Sequence, residues 1–239
     1  MKTNISILTC TGDRPICFRL LERWMKQQTV KPSQWVVIDD GKIPTEPTMD
    51  CTYIRREPKA DDPKQTLNVN MKTALPLIDG EKLIIWEDDE YYAPQYIEIM
   101  SEKLNKSSVV GICKSKYYYL PTYHYYVHPN IDHASLAQTA IRDSFFYNLE
   151  QAIQDDPFMD LRIWRKAFEE NNGLLFHDGN ERCLYVGFKG LAGRIGIGSG
   201  HRGIGTSDPQ QRILKQWIPN DYTFYMDGSV ANKTTIVRR

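Results

Sequence analysis

Short apolar runs alternate with stretches of helical periodicity through the first half of the chain. The runs at 5–9, 35–38, 51–54, 83–86 and 109–113 predict five strands, and the periodic stretches at 16–28, 65–79 and 94–105 predict helices between them. Continuous apolar strands separated by helices are typical of a parallel sheet that is covered on both faces. The pattern therefore predicts an α/β domain.

The pattern changes after the fifth predicted strand. Residues 114–129 contain six tyrosines and two histidines, and this tract favours a twisted hairpin with alternate faces packed. The aromatic rings would also suit the stacking of sugars or nucleobases, so both interpretations stay open. Helical spacing predicts two more helices, over 134–154 and over 160–170.

Composition narrows the class of protein. The chain has 239 residues, 41% of them hydrophobic, which is consistent with one domain and a sizeable core. No apolar segment reaches the roughly 18 residues of a membrane helix, and the chain shows no signal-peptide pattern. The five scattered cysteines contain no CxxC pair, which argues against a disulfide framework or a zinc site. We therefore expect a cytoplasmic protein.

Charge is balanced, with 30 basic and 30 acidic residues. This balance excludes a uniformly basic nucleic-acid surface but leaves room for a local basic groove.

Four consecutive carboxylates, Glu87 to Glu90, follow the fourth predicted strand. Side chains at the carboxyl edge of such a sheet line the crevice where α/β proteins bind ligands. Clustered carboxylates repel one another unless a cation lies among them, and Mg²⁺ or Mn²⁺ prefers oxygen ligands of this kind. A solvated acidic turn before the helix at Pro94 is the alternative.

Other predicted strand ends also carry charge. Asp39 and Asp40 end the second strand, and Arg55 and Arg56 end the third. For these two arginines, solvated chain ends are the favoured interpretation. A polar ligand bound along one sheet edge would require such groups.

A late glycine-rich segment carries further cations. Six glycines lie between Gly190 and Gly203, interspersed with Arg194, His201 and Arg202 and preceded by Lys189. Exposed backbone amides and cations suit a phosphate clamp that closes on its ligand, and a flexible surface loop is the alternative. The segment is not a Rossmann fingerprint, because it lies late in the chain and no Asp or Glu follows it at the required offset in a βαβ unit.

Several motifs together resemble a known family. ISILTCTGDRP, WVVIDDG, the helix with Asn70 and LIIWEDDEYYAP look like the nucleotide-binding half of family-2-like glycosyltransferases of the GT-A fold. HASLAQTA, PFMDLRIW and GFKGLAGRIGIGSGH further resemble a subgroup met in bacteriophage genomes. The resemblance implies a Rossmann-like, mixed and mostly parallel sheet flanked by helices. It also implies one domain, with a nucleotide-sugar-binding half at 1–105 and an acceptor-binding elaboration at 106–239.

The resemblance also implies a donor site. Asp89 would be the main ligand of Mn²⁺ or Mg²⁺, with Glu87 assisting and His201 as a third ligand, although a lone histidine is usually structural. The donor would be a nucleotide sugar, in the first place a UDP-sugar. The residues implied to border it are Thr9, Thr11, Asp13, Arg14, Asp39, Asp40, Asn70, Asp88, Lys189, Arg194 and Arg202. From the residues alone, Asp13 is equally a cap for the helix at Pro15.

On the acceptor side the resemblance implies that Asp160 is the general base of an inverting transfer. A helix cap is the alternative, and Asp155 and Asp156 are the other candidate bases. Tyr117, Tyr119 and His133 are the candidate acceptor contacts.

The favoured acceptor is a hydroxymethylated pyrimidine in phage DNA, extruded so that its hydroxyl reaches the base. The neutral net charge weighs against DNA. A glycan or lipid-linked saccharide acceptor, a nonenzymatic sugar-nucleotide-binding module and a metal-dependent nucleotidyltransferase are the alternatives.

Overall fold

The computed structural model describes residues 4–156, 158–179, 183–193 and 205–226. The strands are β1 Ile5–Thr11, β2 Gln34–Asp39, β3 Thr52–Arg55, β4 Lys82–Ile85, β5 Glu90–Tyr92, β6 Val109–Ile112, β7 Lys116–Tyr119, β8 His124–Val127, β9 Thr139–Arg142, β10 Gly173–Phe176, β11 Tyr185–Lys189 and β12 Thr206–Ser207. The helices are α1 Pro15–Gln27, α2 Leu67–Ala74, α3 Tyr96–Lys103, α4 Phe146–Ala152, α5 Met159–Glu169 and α6 Arg212–Trp217.

A seven-stranded sheet forms the centre of the molecule, in the order β10-β6-β9-β4-β1-β2-β3. β1 pairs in parallel with β2 and β4, and β2 pairs in parallel with β3. β9 runs antiparallel between β4 and β6, and β10 is parallel to β6. The predicted mixed and mostly parallel α/β sheet is therefore confirmed.

Helix α1 shows why the predicted helices form. Pro15 is its first residue, where a missing backbone N–H costs nothing, and Lys26 lies in the last turn, where the helix dipole favours a cation. Its buried residues are Cys17, Phe18, Leu21, Glu22, Trp24 and Met25. Most of them recur with helical period, so one face packs against the sheet. Separate buried clusters cover the two faces of the sheet.

The predicted helix over 134–154 is wrong for its first half. That part is a 3₁₀ turn, Leu136–Gln138, followed by β9, and only α4 is helical in the second half. Ile141 pairs with Leu83 of β4 and with Val109 of β6. Without β9 the facing edges of β4 and β6 would bury unpaired backbone groups, and this cost outweighs a local helical preference.

A second sheet of five strands, in the order β12-β8-β7-β11-β5, carries the tyrosine-rich tract. β7 and β8 form the predicted hairpin, which is therefore confirmed. One face is buried: Tyr118 lies against Phe188, which stacks on Tyr225 with ring centroids 3.6 Å apart. The other face carries the buried Glu90 at its β5 edge and the half-buried Tyr117 and Tyr126 on the hairpin.

No helix within the described part of the chain is long and apolar enough to cross a membrane.

Candidate functional site

Three loops meet where β1, β2 and β4 end. Because these strands are parallel and adjacent, their carboxyl ends share one edge of the sheet. The Asp40 amide donates to the Thr11 carbonyl at 3.1 Å, which joins the first two loops. A Cβ atom at Gly41 would lie 2.5 Å from the Asp13 amide nitrogen. The loops are thus packed too closely for a side chain at position 41.

Asp88 is the structural member of the acidic segment. It is buried, and its carboxylate accepts a hydrogen bond from the Thr11 hydroxyl at 2.7 Å and from the Arg14 guanidinium at 2.9 Å. The same Arg14 nitrogen lies 3.0 Å from Asp89 Oδ2. Burial opposes the charge of Arg14, but Asp89 and Asp88 together raise its pKa well above the usual value. Arg14 therefore stays cationic at the edge of the acidic segment.

Glu90 is not solvated but 2% exposed, and it belongs to the second sheet. It accepts from Lys189 Nζ at 2.6 Å and from the Phe188 amide at 2.8 Å. Burial raises the pKa of Glu90 although Lys189 opposes the shift. Lys189, predicted as a phosphate contact on a closing loop, is instead a buried strand residue paired with Glu90.

Glu87, Asp89 and Glu90 fit a divalent cation. Each offers an oxygen, and these oxygens all lie within 4.8 Å of one another. Burial, and next the charge of Asp89, raise the pKa of Glu87 to about 7. Among the described residues Glu87 forms no ion pair, so its charge lacks a direct partner. A hard cation held by Glu87 and Asp89 would relieve this repulsion. The Glu90 carboxylate is already paired with a cationic side chain, that of Lys189.

Asp39 is fully buried and holds the loop that follows β2. Its carboxylate accepts from the amides of Gly41 at 2.8 Å and Thr45 at 2.5 Å. It also accepts from the Tyr53 hydroxyl at 2.7 Å, and Arg55 lies 3.4 Å away. Asp39 thus shapes the loop, and a direct contact with a donor stays a prediction.

Asp40 and Asn70 are joined through Arg56. The Arg56 guanidinium donates to Asp40 Oδ2 at 2.9 Å and to Asn70 Oδ1 at 2.5 Å, and it also pairs with Asp62 at 2.7 Å. Arg56 therefore ties β3 to β2 and α2. The expectation that Arg55 and Arg56 are solvated chain ends is wrong, since their side chains are 20% and 10% exposed.

Two residues of the first loop have structural roles. Thr9 is fully buried, and its hydroxyl accepts from the Trp35 indole at 3.0 Å, so it belongs to the core and not to the cleft wall. Asp13 has a φ of 57° and accepts from the Lys42 amide at 2.7 Å. Arg14, not Asp13, stands at the N-cap of α1, so the interpretation of Asp13 as a helix cap is wrong.

The predicted residues Arg194, His201 and Arg202 lie outside the described residues. The start of the glycine-rich segment is described, and it packs on the first loop. A Cβ atom at Gly193, where φ is 104°, would lie 2.5 Å from the Asp13 carbonyl oxygen.

Asp160 lies in the first turn of α5 and is half-buried. Its Oδ1 accepts from the Leu161 amide at 2.9 Å, and within the described ranges it forms no ion pair. Burial raises its pKa, while the Leu161 amide and the charge of nearby His133 oppose the rise. The other candidates fit a base less well. The Asp156 carboxylate already accepts hydrogen bonds from Arg162, at 2.7 and 2.8 Å, and from the Phe158 amide at 2.8 Å, and Asp155 is exposed.

The candidate acceptor residues differ in accessibility. Tyr117 and His133 are half-buried, whereas Tyr119 is only 8% exposed. Tyr126 and His128, which sequence reasoning missed, extend the same face: Tyr126 stacks on Tyr117 with centroids 5.0 Å apart. Alternation along a strand was the signal that would have found them.

The chain resembles solved structures of S. aureus TarS. TarS 1-349 in complex with UDP-GlcNAc matches with a TM-score of 0.57 and 14% identity, over 90% of this chain and 65% of that chain. TarS 1-349 in complex with UDP matches with a TM-score of 0.54 and 14% identity, over 79% and 60%. This chain thus spans less than two thirds of their length. No protein-family model and no curated protein matches the sequence. At this identity the likeness establishes the fold, which is GT-A.

Proposed function

We propose that the protein is a metal-dependent glycosyltransferase that moves a sugar from a nucleotide sugar to an acceptor hydroxyl by inversion. The observation that carries the proposal is the buried acidic segment at the carboxyl edge of a GT-A sheet. There Glu87 and Asp89 bring their oxygens together beside the cationic Arg14. The solved structures of TarS with UDP and UDP-GlcNAc support a UDP-sugar as the donor class.

The residues of this chain would form a donor site and an acceptor site. The loops after β1 and β2 would border the nucleotide, and Arg14 would place positive charge near the diphosphate. When bound at Glu87 and Asp89, a divalent ion supplies Lewis-acid stabilisation of the departing diphosphate. Asp160 would accept the proton of the acceptor hydroxyl, a role that a carboxylate with a raised pKa suits.

For the acceptor, we retain the hydroxymethylated pyrimidine of DNA as a proposal, and its support is the half-buried aromatic face that includes Tyr117.

A specific observation favours a second candidate, a glycan or lipid-linked saccharide. Phe158 and Leu161, on either side of Asp160, are 57% and 41% exposed, and Ile131, close to His133, is 74% exposed. Such apolar groups suit a lipid-linked or amphipathic acceptor better than a phosphate backbone.

Replacing Asp89 tests the donor site. We expect Asp89→Asn to lower Mn²⁺-dependent hydrolysis and transfer of a UDP-sugar by about 100-fold or more, because the neutral amide loses the charge that holds the cation. The measurement is release of UDP over a series of Mn²⁺ concentrations. Asp61→Asn is the matched control, since Asp61 is exposed.

Circular dichroism and thermal unfolding would show that Asp89→Asn remains folded. Near-normal turnover in folded Asp89→Asn protein would contradict the metal site. Incubation with hydroxymethylated DNA, unmodified DNA or glycan acceptors decides between the two acceptor candidates. The measurement is the mass of the nucleosides after digestion of the DNA. Donor hydrolysis without any mass shift of the modified nucleoside would favour the glycan.

A further inference from the structure

One row of residues crosses four adjacent strands of the second sheet. Glu90 of β5 is paired with Gly187 of β11, Gly187 with Tyr117 of β7, and Tyr117 with Tyr126 of β8. Residues paired across a sheet project from the same face. The face that presents the Glu90 carboxylate to the acidic segment therefore also presents both tyrosine rings.

Glycine is required in the middle of this row. A Cβ atom at Gly187 would collide with the Tyr117 ring and would lie 3.2 Å from Glu90 Oε2. The Cδ1–Cε1 edge of the Tyr117 ring therefore lies against the β11 backbone, next to the Glu90–Lys189 pair. Lys189 Nζ is 5.5 Å from the centroid of the same ring. The row thus joins the acidic segment to the aromatic rings without a gap.

The row continues towards Asp160. Tyr117 and Tyr126 are stacked with an interplanar angle of 16°. The His128 ring is 6.3 Å from Tyr126, and the His133 ring is 6.3 Å from His128. Ala134, the residue after His133, packs beside Trp164 of α5 at Gly111, so His133 lies next to the helix that carries Asp160. All four residues are half-buried.

We infer that Tyr117, Tyr126, His128 and His133 form a ring wall that binds the acceptor between the acidic segment and Asp160. This inference rests on the proposed glycosyl transfer, and it specifies the acceptor class. The acceptor carries its reactive hydroxyl on, or next to, a flat ring face. Nucleobases and sugar rings share this chemistry, because both stack on aromatic side chains. A flexible acceptor without a ring would gain little from such a wall.

Ligand-observed saturation-transfer NMR tests the wall directly. The probes are hydroxymethylcytidine, methyl glucoside and glycerol, which has hydroxyl groups but no ring. We expect saturation of the ring protons of at least one ring-bearing probe, and its loss in the double variant Tyr126→Ala with His128→Ala. The probe that responds identifies a nucleobase or a sugar as the source. Equal signals from glycerol, or unchanged signals in the double variant, would overturn the inference.

Kinetics separate this inference from the proposed function. In the double variant we expect the acceptor KM to rise roughly five- to ten-fold, the usual worth of aromatic stacking, while donor hydrolysis stays unchanged. His128→Phe, which keeps a ring, should retain most of the affinity. Tyr147→Ala is the matched control, because Tyr147 is 72% exposed on α4. An unchanged acceptor KM would refute the ring wall, whereas absent donor hydrolysis in the unmodified protein would refute the glycosyltransferase.

Discussion

Asp160 combines partial burial with the absence of a direct cation among the described residues. Asp160→Asn should lower acceptor-dependent transfer by about 100- to 10,000-fold and leave donor binding intact, because the amide cannot accept the proton. The measurement compares glycosyl transfer with the affinity for UDP. Asp155→Asn, an exposed aspartate a few residues away, is the control. Unchanged transfer in Asp160→Asn would move the base to another residue.

The same residue sets the expected pH dependence of transfer. Only the ionised carboxylate is a base, so activity falls as pH drops through its pKa. Burial raises that pKa, so the acid limb of the kcat/KM profile should lie at higher pH than it would for an exposed aspartate.

Glu87 offers a readout that does not depend on catalysis. Burial, followed by the charge of Asp89, raises its pKa from 4.5 to about 7, so between these values the folded protein holds a proton that the unfolded chain has released. The metal-free protein should therefore lose stability as pH rises from about 4.5 to 7. Urea unfolding between pH 5 and pH 8 measures this loss, which should be smaller in Glu87→Gln.

Adding Mg²⁺ completes that experiment. The cation should stabilise the folded protein more at pH 8 than at pH 5, because it competes with the proton for Glu87. Equal pH slopes in the wild type and Glu87→Gln, or no effect of Mg²⁺ at either pH, would show that Glu87 does not face a cation site.

The position of helix α5 depends on Gly111 in β6. A Cβ atom at Gly111 would overlap the Trp164 ring and lie 2.5 Å from Ala134 Cβ. Gly111→Ala should therefore push α5 and its Asp160 away from the sheet, costing about 1–3 kcal/mol of stability and lowering transfer more than donor hydrolysis. Thermal unfolding together with both assays measures this.

A double-mutant cycle checks the cause. Trp164→Phe removes the part of the ring that overlaps, so its combination with Gly111→Ala should cost less than the sum of the two single changes. Additive losses would mean that Gly111 matters for another reason.

At the level of elements, local pattern predicted some structures well and failed at β9. The strands at 5–11, 34–39 and 82–85 are apolar runs that are almost wholly buried, and 52–55 is a partly buried edge strand, so the pattern alone found them. The segment 139–142 has the apolar spacing of a helix, yet it is a strand. Its conformation follows from pairing with β4 and β6, which are distant in sequence, so no local signal reveals it.

The two parts of the chain, 1–105 and 106–239, are interleaved in space. β9, from the second part, lies between β4 and β6 in the large sheet, while β5, from the first part, is the edge strand of the second sheet. Asn68 of α2 also donates to the Asp156 carbonyl oxygen at 2.5 Å. The acidic segment and Asp160 therefore belong to one continuous domain.

The sequence alone determined the α/β class and the acidic segment after the fourth strand, because runs of apolar residues and clusters of charge are local properties, whereas the family resemblance singled out Asp89 and Asp160. Only the tertiary structure decided which charges are already neutralised. Arg14, Arg56 and Lys189 pair with Asp88, Asp40 and Glu90 across 16 to 99 positions of the chain. It also placed Tyr117 and Tyr126 on the face of Glu90. Such pairings depend on strand register and burial, which arise only when distant segments pack together.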